Sequence, residues 1–218
     1  VIVTGAAVAD AARAVAAAGG TVTAEFPLID GLAATLPEGA QLAGAFVVTP
    51  NRSATFASAD TPADAPAATV RQTLGLPATG DEGRGVTVAV VDTGVADVGD
   101  LAGQVVAHLD VTAAGSGDGE GHGTFMAGLI AGTGAGSGGA YAGVAPRAKI
   151  LDVKVARADG STDLSSVLAG LQAVADQGNR YGVEVLNLSL DSASPVPYQV
   201  DPLNQALRAL WRAGITVV

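Results

Sequence analysis

The chain has 218 residues, 49% of them hydrophobic, a formal net charge of −10 and no cysteine. That length holds one or two domains with a sizeable core, and the acidity excludes a surface that neutralises a row of phosphates. No apolar run approaches the roughly 18 residues that a membrane span needs, and the lack of cysteine excludes disulfides and thiolate metal sites. The chain opens at Val1 without a methionine or leader pattern and stops at Val218 inside an apolar strand pattern, which reads as a piece cut from something longer.

Residues 1–50 form a first unit. The pattern predicts a strand at 1–4, an alanine-rich helix at 7–18 ended by Gly19 and Gly20, and strands at 21–26 and 31–36. A short helix at 38–44 and a strand at 45–49 complete a β-α-β-β-α-β order, the ferredoxin-like one. The opening Val-Ile-Val-Thr-Gly-Ala-Ala resembles the start of a short-chain dehydrogenase. Val8, Ala9 and Ala11 stand where the later glycines of a dinucleotide site belong, and their side chains would block close approach of a pyrophosphate. The unit as a whole, with Ile-Asp-Gly-Leu-Ala-Ala at 29–34, is similar to the propeptide of subtilisin-like proteases, an intramolecular chaperone and inhibitor.

Residues 51–80 read as a connection. The stretch 51–69 is rich in Ala, Ser, Asp and Pro and predicts an exposed linker, with the processing cut between residues 49 and 69 if the resemblance holds. A short helix at 70–76 would begin the next unit.

Residues 81–218 form a second unit. A β-branched run at 86–91 predicts a buried strand that ends on Asp92, followed by Thr93 and Gly94. The carboxyl end of such a strand is where open α/β sheets place chemistry. Thirty residues on, His122 sits between Gly121 and Gly123, ahead of an apolar helix-like run at 125–131. A buried acid can hold an imidazole in one tautomer while the ring takes a nucleophile's proton, as in a Ser-His-Asp relay. A lone D-T-G triplet also occurs in aspartic proteases, but these need two copies in all-β lobes, and one copy stands here. His108 has no patterned neighbours and reads as structural.

Further strands are expected at 148–155 and 183–190, and helices at 164–175 and after Asp201-Pro202. Asp163 and Asp201 are placed to cap those helices, Gly178 and Gly214 to end them, and a strand begins at 215. Leu164, Val167, Leu168, Leu171 and Val174 form one core stripe. The alternation implies a mainly parallel sheet sandwiched by helices. Gly134-x-Gly136-x-x-Gly139 matches a dinucleotide pattern but follows a helix, so it is discounted.

The motifs V-D-T-G at 91–94, G-H-G-T at 121–124, G-V-A-P at 143–146 and L-N-L-S-L at 186–190 resemble, in order, those of subtilisin-like serine proteases (subtilases). The resemblance implies an α/β fold, incomplete here, behind a propeptide domain. It implies peptide-bond hydrolysis with Asp92 and His122 as catalytic residues, and two backbone segments that pair with substrate: Ala158, Asp159 and Gly160 on one side, Ser189, Leu190 and Asp191 on the other. Asp191 replaces the family's usual glycine, and a wall carboxylate would disfavour acidic substrate side chains. Asn187 reads as a core amide. The family's oxyanion asparagine and nucleophilic serine follow the last strand and are expected beyond Val218, since no serine present has the right setting. Asp97 and Asp100 lie where the family has a calcium site, but the partner loop at 132–139 offers no carboxylate, so neither a metal nor any cofactor is expected. The implied partners are polypeptide substrates and the chain's own propeptide, with neither nucleic acid nor membrane, in a secreted setting. A catalytically dead peptide-binding or protease-inhibitor module and a nucleotide-binding oxidoreductase are the competing readings.

Overall fold

The computed structural model describes residues 1–57, 70–76 and 82–218. The first unit contains β1 (Ile2–Thr4), α1 (Val8–Ala17), β2 (Thr21–Phe26), β3 (Gly31–Thr35) and β4 (Val47–Thr49). Its sheet order is β2-β3-β1-β4 with every neighbour antiparallel, the order that the ferredoxin-like reading requires. The helix expected at 38–44 does not form. Gly39 and Gly44 adopt φ +74° and +137°, and only a turn bond from Ala40 N–H to the Pro37 carbonyl closes there. So few residues cannot repay helix nucleation against those glycines. Leu36, Leu42 and Phe46 instead pack directly on Val3, Ala11, Val15, Leu32 and Ala34 beside α1.

Between the units lie β5 (Ser53–Phe56) and α2 (Val70–Thr73), and the second unit begins with β6 (Thr87–Asp92), β7 (Val105–Asp110), α3 (His122–Ala131) and β8 (Lys149–Lys154). They are followed by β9 (Thr162–Asp163), α4 (Leu164–Tyr181), β10 (Val183–Asn187), β11 (Leu190–Asp191), α5 (Pro202–Arg212) and β12 (Thr216–Val217). Five strands form a parallel sheet in the order β12-β10-β6-β8-β7, as the alternation of elements led one to expect. Central β6 is buried throughout, and its period of two serves both faces. Val88 and Val90 pack with Ala127 and Ala131 of α3, whereas Ala89 and Val91 join the α4 and α5 side with Leu164, Leu168, Leu171 and Leu210.

Three boundaries differ from expectation. Helix α4 runs through Gly178 to Tyr181 and is closed by Gly182 at φ +66°. A single glycine costs a helix only about 1 kcal/mol, and Gly178 lies close against Val183. The strand expected at 183–190 is split between two sheets, β10 in the parallel one and β11 elsewhere. Strand β7, which carries His108, was not foreseen, because an edge strand with alternately exposed residues has a weak signal.

The largest departure is β5. The exposed-linker reading fails at 53–56, where the chain is the middle strand of a three-stranded antiparallel sheet, β11-β5-β9. The rest of that predicted linker, at 58–69, lies outside the described residues, as do residues 77–81. The helix expected at 70–76 is confined to Val70–Thr73, and Arg71 Nη1 donates to the Gly143 and Val144 carbonyls, 2.9 Å each, which ties it to the second unit. The face of the first sheet opposite α1 closes on α4 and α5. There Ile2, Phe26, Ile29 and Ala33 share one buried core with Leu171 and Leu210, and Leu28 N–H donates to Gln172 Oε1 at 2.8 Å. No helix among the described residues is long and apolar enough to cross a membrane.

Candidate active site

Asp92 is the last residue of β6 and is fully buried, while His122 is the first residue of α3. The His122 Nδ1 and Asp92 Oδ1 are 2.7 Å apart, and the Thr93 N–H donates to the same oxygen at 2.7 Å. Asp92 Oδ2 is buried without a partner among the described residues. Burial pushes the Asp92 carboxyl above the usual carboxylate range, and the bonds from His122 and Thr93 pull it back only in part. An ionised Asp92 accepts from Nδ1–H, which leaves Nε2 as the basic nitrogen.

A bracket of hydrogen bonds fixes the start of α3. Asp118 Oδ1 accepts from Thr93 Oγ1 and Gly121 N–H, each at 2.8 Å, and its Oδ2 accepts from the N–H and hydroxyl of Thr124 at 2.8 and 2.7 Å. The Gly123 N–H donates to Thr93 Oγ1 at 2.9 Å, so Thr93 links both chain segments that carry the pair. Burial opposes ionisation of Asp118, but these bonds prevail and hold its carboxyl below the usual range. The sequence reading missed Asp118. Its signal was the spacing, an acid three residues before Gly121 in the manner of a side chain that bonds backbone amides ahead of it. The two glycines beside His122 have steric roles. Gly121 is needed for its φ of +81°, and Gly123 because a Cβ there would collide with the Gly94 carbonyl. Lys154 Nζ donates to the carbonyls of Gly115 and Gly117, at 3.0 and 2.9 Å, and pins the intervening loop to the end of β8.

Strand β5 passes directly over this pair. Phe56 and Thr55 are in register with Leu190 and Asp191, and the Ala57 N–H donates to the Ser189 carbonyl at 3.0 Å. On the other side Ser53 and Ala54 pair with Asp163 and Thr162. The Phe56 ring lies 5.7 Å from the His122 ring, tilted by 41°. β5 thus fills a groove between two strands, with Ser189, Leu190 and Asp191 along one side of it. Ala158, Asp159 and Gly160 lie in the turn that leads to the other wall: Asp159 Oδ1 accepts from the N–H and hydroxyl of Ser161, and Gly160 N–H donates to the Arg157 carbonyl. Strand pairing on that wall runs through Thr162 and Asp163 instead. The Asp191 carboxylate is exposed and accepts from its own loop at Ala193 N–H, 3.1 Å. Asn187 donates to Ser189 Oγ at 3.0 Å and braces the first wall.

Two other acids have local tasks. Asp100 Oδ1 accepts from Gly136 N–H at 2.6 Å and its carbonyl from Thr133 N–H at 2.8 Å, so it holds the glycine-rich loop at 132–139. Asp97 is exposed. His108 Nδ1 lies 2.8 Å from Asp152 Oδ2, away from the groove.

Residues 83–218 match the sequence model of the subtilase family. The chain is 37% identical over 142 residues to serine protease AprX of Bacillus subtilis (strain 168), which covers 62% of this chain and 32% of that protein. It is 40% identical over 136 residues to subtilisin BL of Lederbergia lenta, covering 62% of this chain and 47% of that protein. It therefore spans between about a third and a half of these relatives. In fold it resembles fervidolysin of Fervidobacterium pennivorans, a keratinolytic enzyme related to subtilisin, with a TM-score of 0.69 at 21% identity over 99% of this chain and 38% of that one.

Proposed function

The chain belongs to the subtilase family, and from that premise we propose that Asp92 and His122 are the acid and general base of an Asp-His-Ser relay that hydrolyses peptide bonds. The serine and an oxyanion-binding asparagine come from a part of the complete protein outside these 218 residues. The observation that carries the reading is a peptide strand, 53–57, laid along the Ser189–Leu190–Asp191 wall with its Phe56 ring against the His122 ring.

The chemistry follows from that arrangement. His122 Nε2 takes the serine hydroxyl proton as the oxygen attacks the substrate carbonyl, and ionised Asp92 stabilises the imidazolium. The imidazolium then gives its proton to the departing amine, and water repeats the sequence to release the acyl half. Substrate binds extended, through main-chain pairing to both walls, which tolerates many sequences.

Residues 1–57 are read as the chaperone and inhibitor propeptide, docked through its sheet on α4 and α5 and through β5 in the groove. Ala57 is the last described residue of the segment, its N–H on the Ser189 carbonyl, and the bond after it is the proposed processing bond. An extracellular setting is part of the same reading. The test is the full-length protein on casein and on a fluorogenic peptide, with the amino terminus of the processed form sequenced. Hydrolysis, its loss in His122→Ala, and a new terminus at residue 58 are expected. A His122→Ala protein as active as its parent would overturn the relay.

A further inference from the structure

Arg52, the residue before β5, carries the inference. Its carbonyl accepts from Leu164 N–H at 2.8 Å, so the strand-like path of the groove segment continues back to it. Its side chain is only 9% exposed. Arg52 Nη2 donates to Asp201 Oδ2 at 2.6 Å and to Ser192 Oγ at 3.0 Å, and Nε donates to the Ser192 carbonyl at 2.6 Å. The Ser194 hydroxyl donates to the same Asp201 oxygen.

Asp201 does not depend on Arg52 for its position. Asp201 is the amino-terminal cap of α5, its Oδ1 accepting from Asn204 N–H at 3.1 Å, and its own N–H is tied to the Pro197 carbonyl at 3.1 Å. One carboxylate oxygen therefore serves the helix and the other faces the groove. The carboxylate is fully buried, and although burial opposes its charge, the bonds from Ser194 and Asn204 and the Arg52 guanidinium hold the carboxyl below the usual range. Acceptors at both Nε and Nη2 suit a planar fork better than a compact ammonium, while Nη1 is buried without a partner among the described residues.

We propose that Asp201, Ser192 and Ser194 form a guanidinium socket at the far end of the groove, which selects arginine five residues before the cleaved bond's acyl residue in substrates as well as in residues 1–57. At about 3.3 Å per residue the socket lies roughly 17 Å from that residue, so only an extended peptide of six or more residues on the acyl side reaches it. The proposal rests on the reading of the groove as a peptide-hydrolysing site.

The processed full-length enzyme is assayed on a peptide of residues 51–57 joined to a reporter amine, and on versions with Lys, Ala or Glu in place of Arg52. kcat/KM is expected to fall roughly 10- to 100-fold from Arg to Ala, with Lys between them and Glu lowest. Asp201→Asn retains a capping side chain. It should erase the preference, so that this variant cleaves the Arg and Ala peptides at rates within about twofold of each other. Equal rates on the Arg and Ala peptides, or a preference that survives Asp201→Asn, overturns the socket. A second readout needs no turnover: in full-length His122→Ala, amide hydrogen exchange at 53–57 should quicken about tenfold on adding Arg52→Ala or Asp201→Asn. If no peptide is cleaved and exchange still quickens, the hydrolase reading falls and the socket stands; unchanged exchange counts against the socket itself.

Discussion

The molecule holds two histidine–aspartate pairs of nearly the same geometry. His122 Nδ1 lies 2.7 Å from Asp92, and His108 Nδ1 lies 2.8 Å from Asp152. Both carboxylates are buried on neighbouring strands, β6 and β8, and burial pushes both carboxyls upward while the histidine bond pulls each back. What separates them is place. Asp92 ends its strand beneath a groove with a peptide segment in it, whereas Asp152 lies inside β8 and pairs with a histidine on the edge strand. The outer nitrogen of His108 faces the Asp97 carboxylate at 4.0 Å, whereas the His122 ring lies 5.7 Å from the Phe56 ring of β5. An acid–imidazole pair by itself therefore does not mark a catalytic site; a chain segment laid against the ring distinguishes the pair proposed above as the relay.

Exchanging the histidines gives the largest contrast. In the full-length protein, His122→Ala should lower kcat on the order of 10⁶-fold, the loss known for the histidine of subtilisin itself, while His108→Ala should change it by less than about threefold. Comparable losses from the two variants would break the comparison. Next come the acids: Asp92→Asn should lower kcat roughly 10⁴-fold by releasing the imidazole tautomer, and Asp152→Asn should act on thermal stability alone, by about 1 kcal/mol. Steady-state kinetics beside calorimetry separates the two. Asp118 lies between catalysis and stability. Removing it in Asp118→Ala orphans amides and a hydroxyl at the start of α3, so about 1–3 kcal/mol of stability should go, with a drop in kcat and little change in KM.

The capping carboxylate of α4, Asp163, sets the baseline. Asp163 accepts from Ser166 N–H at 3.0 Å at the start of α4; burial opposes its charge, but the bonds from Ser165, Ser166 and Arg157 prevail and lower its pKa to about 2. Its folded value lies below the unfolded one. Its contribution is therefore complete above the unfolded carboxylate range, and lost as pH falls from about 4 towards 2. Asp163→Ala should cost about 1 kcal/mol at neutral pH and proportionately less at pH 2, read from denaturant midpoints.

Much of the second unit is legible because its signals are local. The β-branched run of β6, the Asp163 and Asp201 caps and the Leu164–Leu171 stripe each declare an element within a few residues. The helix expected at 38–44 fails for an equally local reason, two glycines at positive φ. Asp118 escapes notice because its role is visible only when Thr93 and Thr124 are brought to it. The segment at 51–57 reads as polar linker, since a main-chain ladder leaves no mark on side-chain composition.

The sequence alone therefore determined the layered α/β fold and an acid and an imidazole at the ends of two regular elements. These follow from hydrophobic periodicity and turn chemistry that neighbouring residues supply. Only the tertiary structure decided that residues 53–57 lie between β9 and β11, and that Arg52 meets Asp201 across 149 positions. Those contacts arise when distant backbone segments, each with unpaired amides and carbonyls, are carried together by the packing of α4 and α5 on both sheets. No local pattern encodes that meeting.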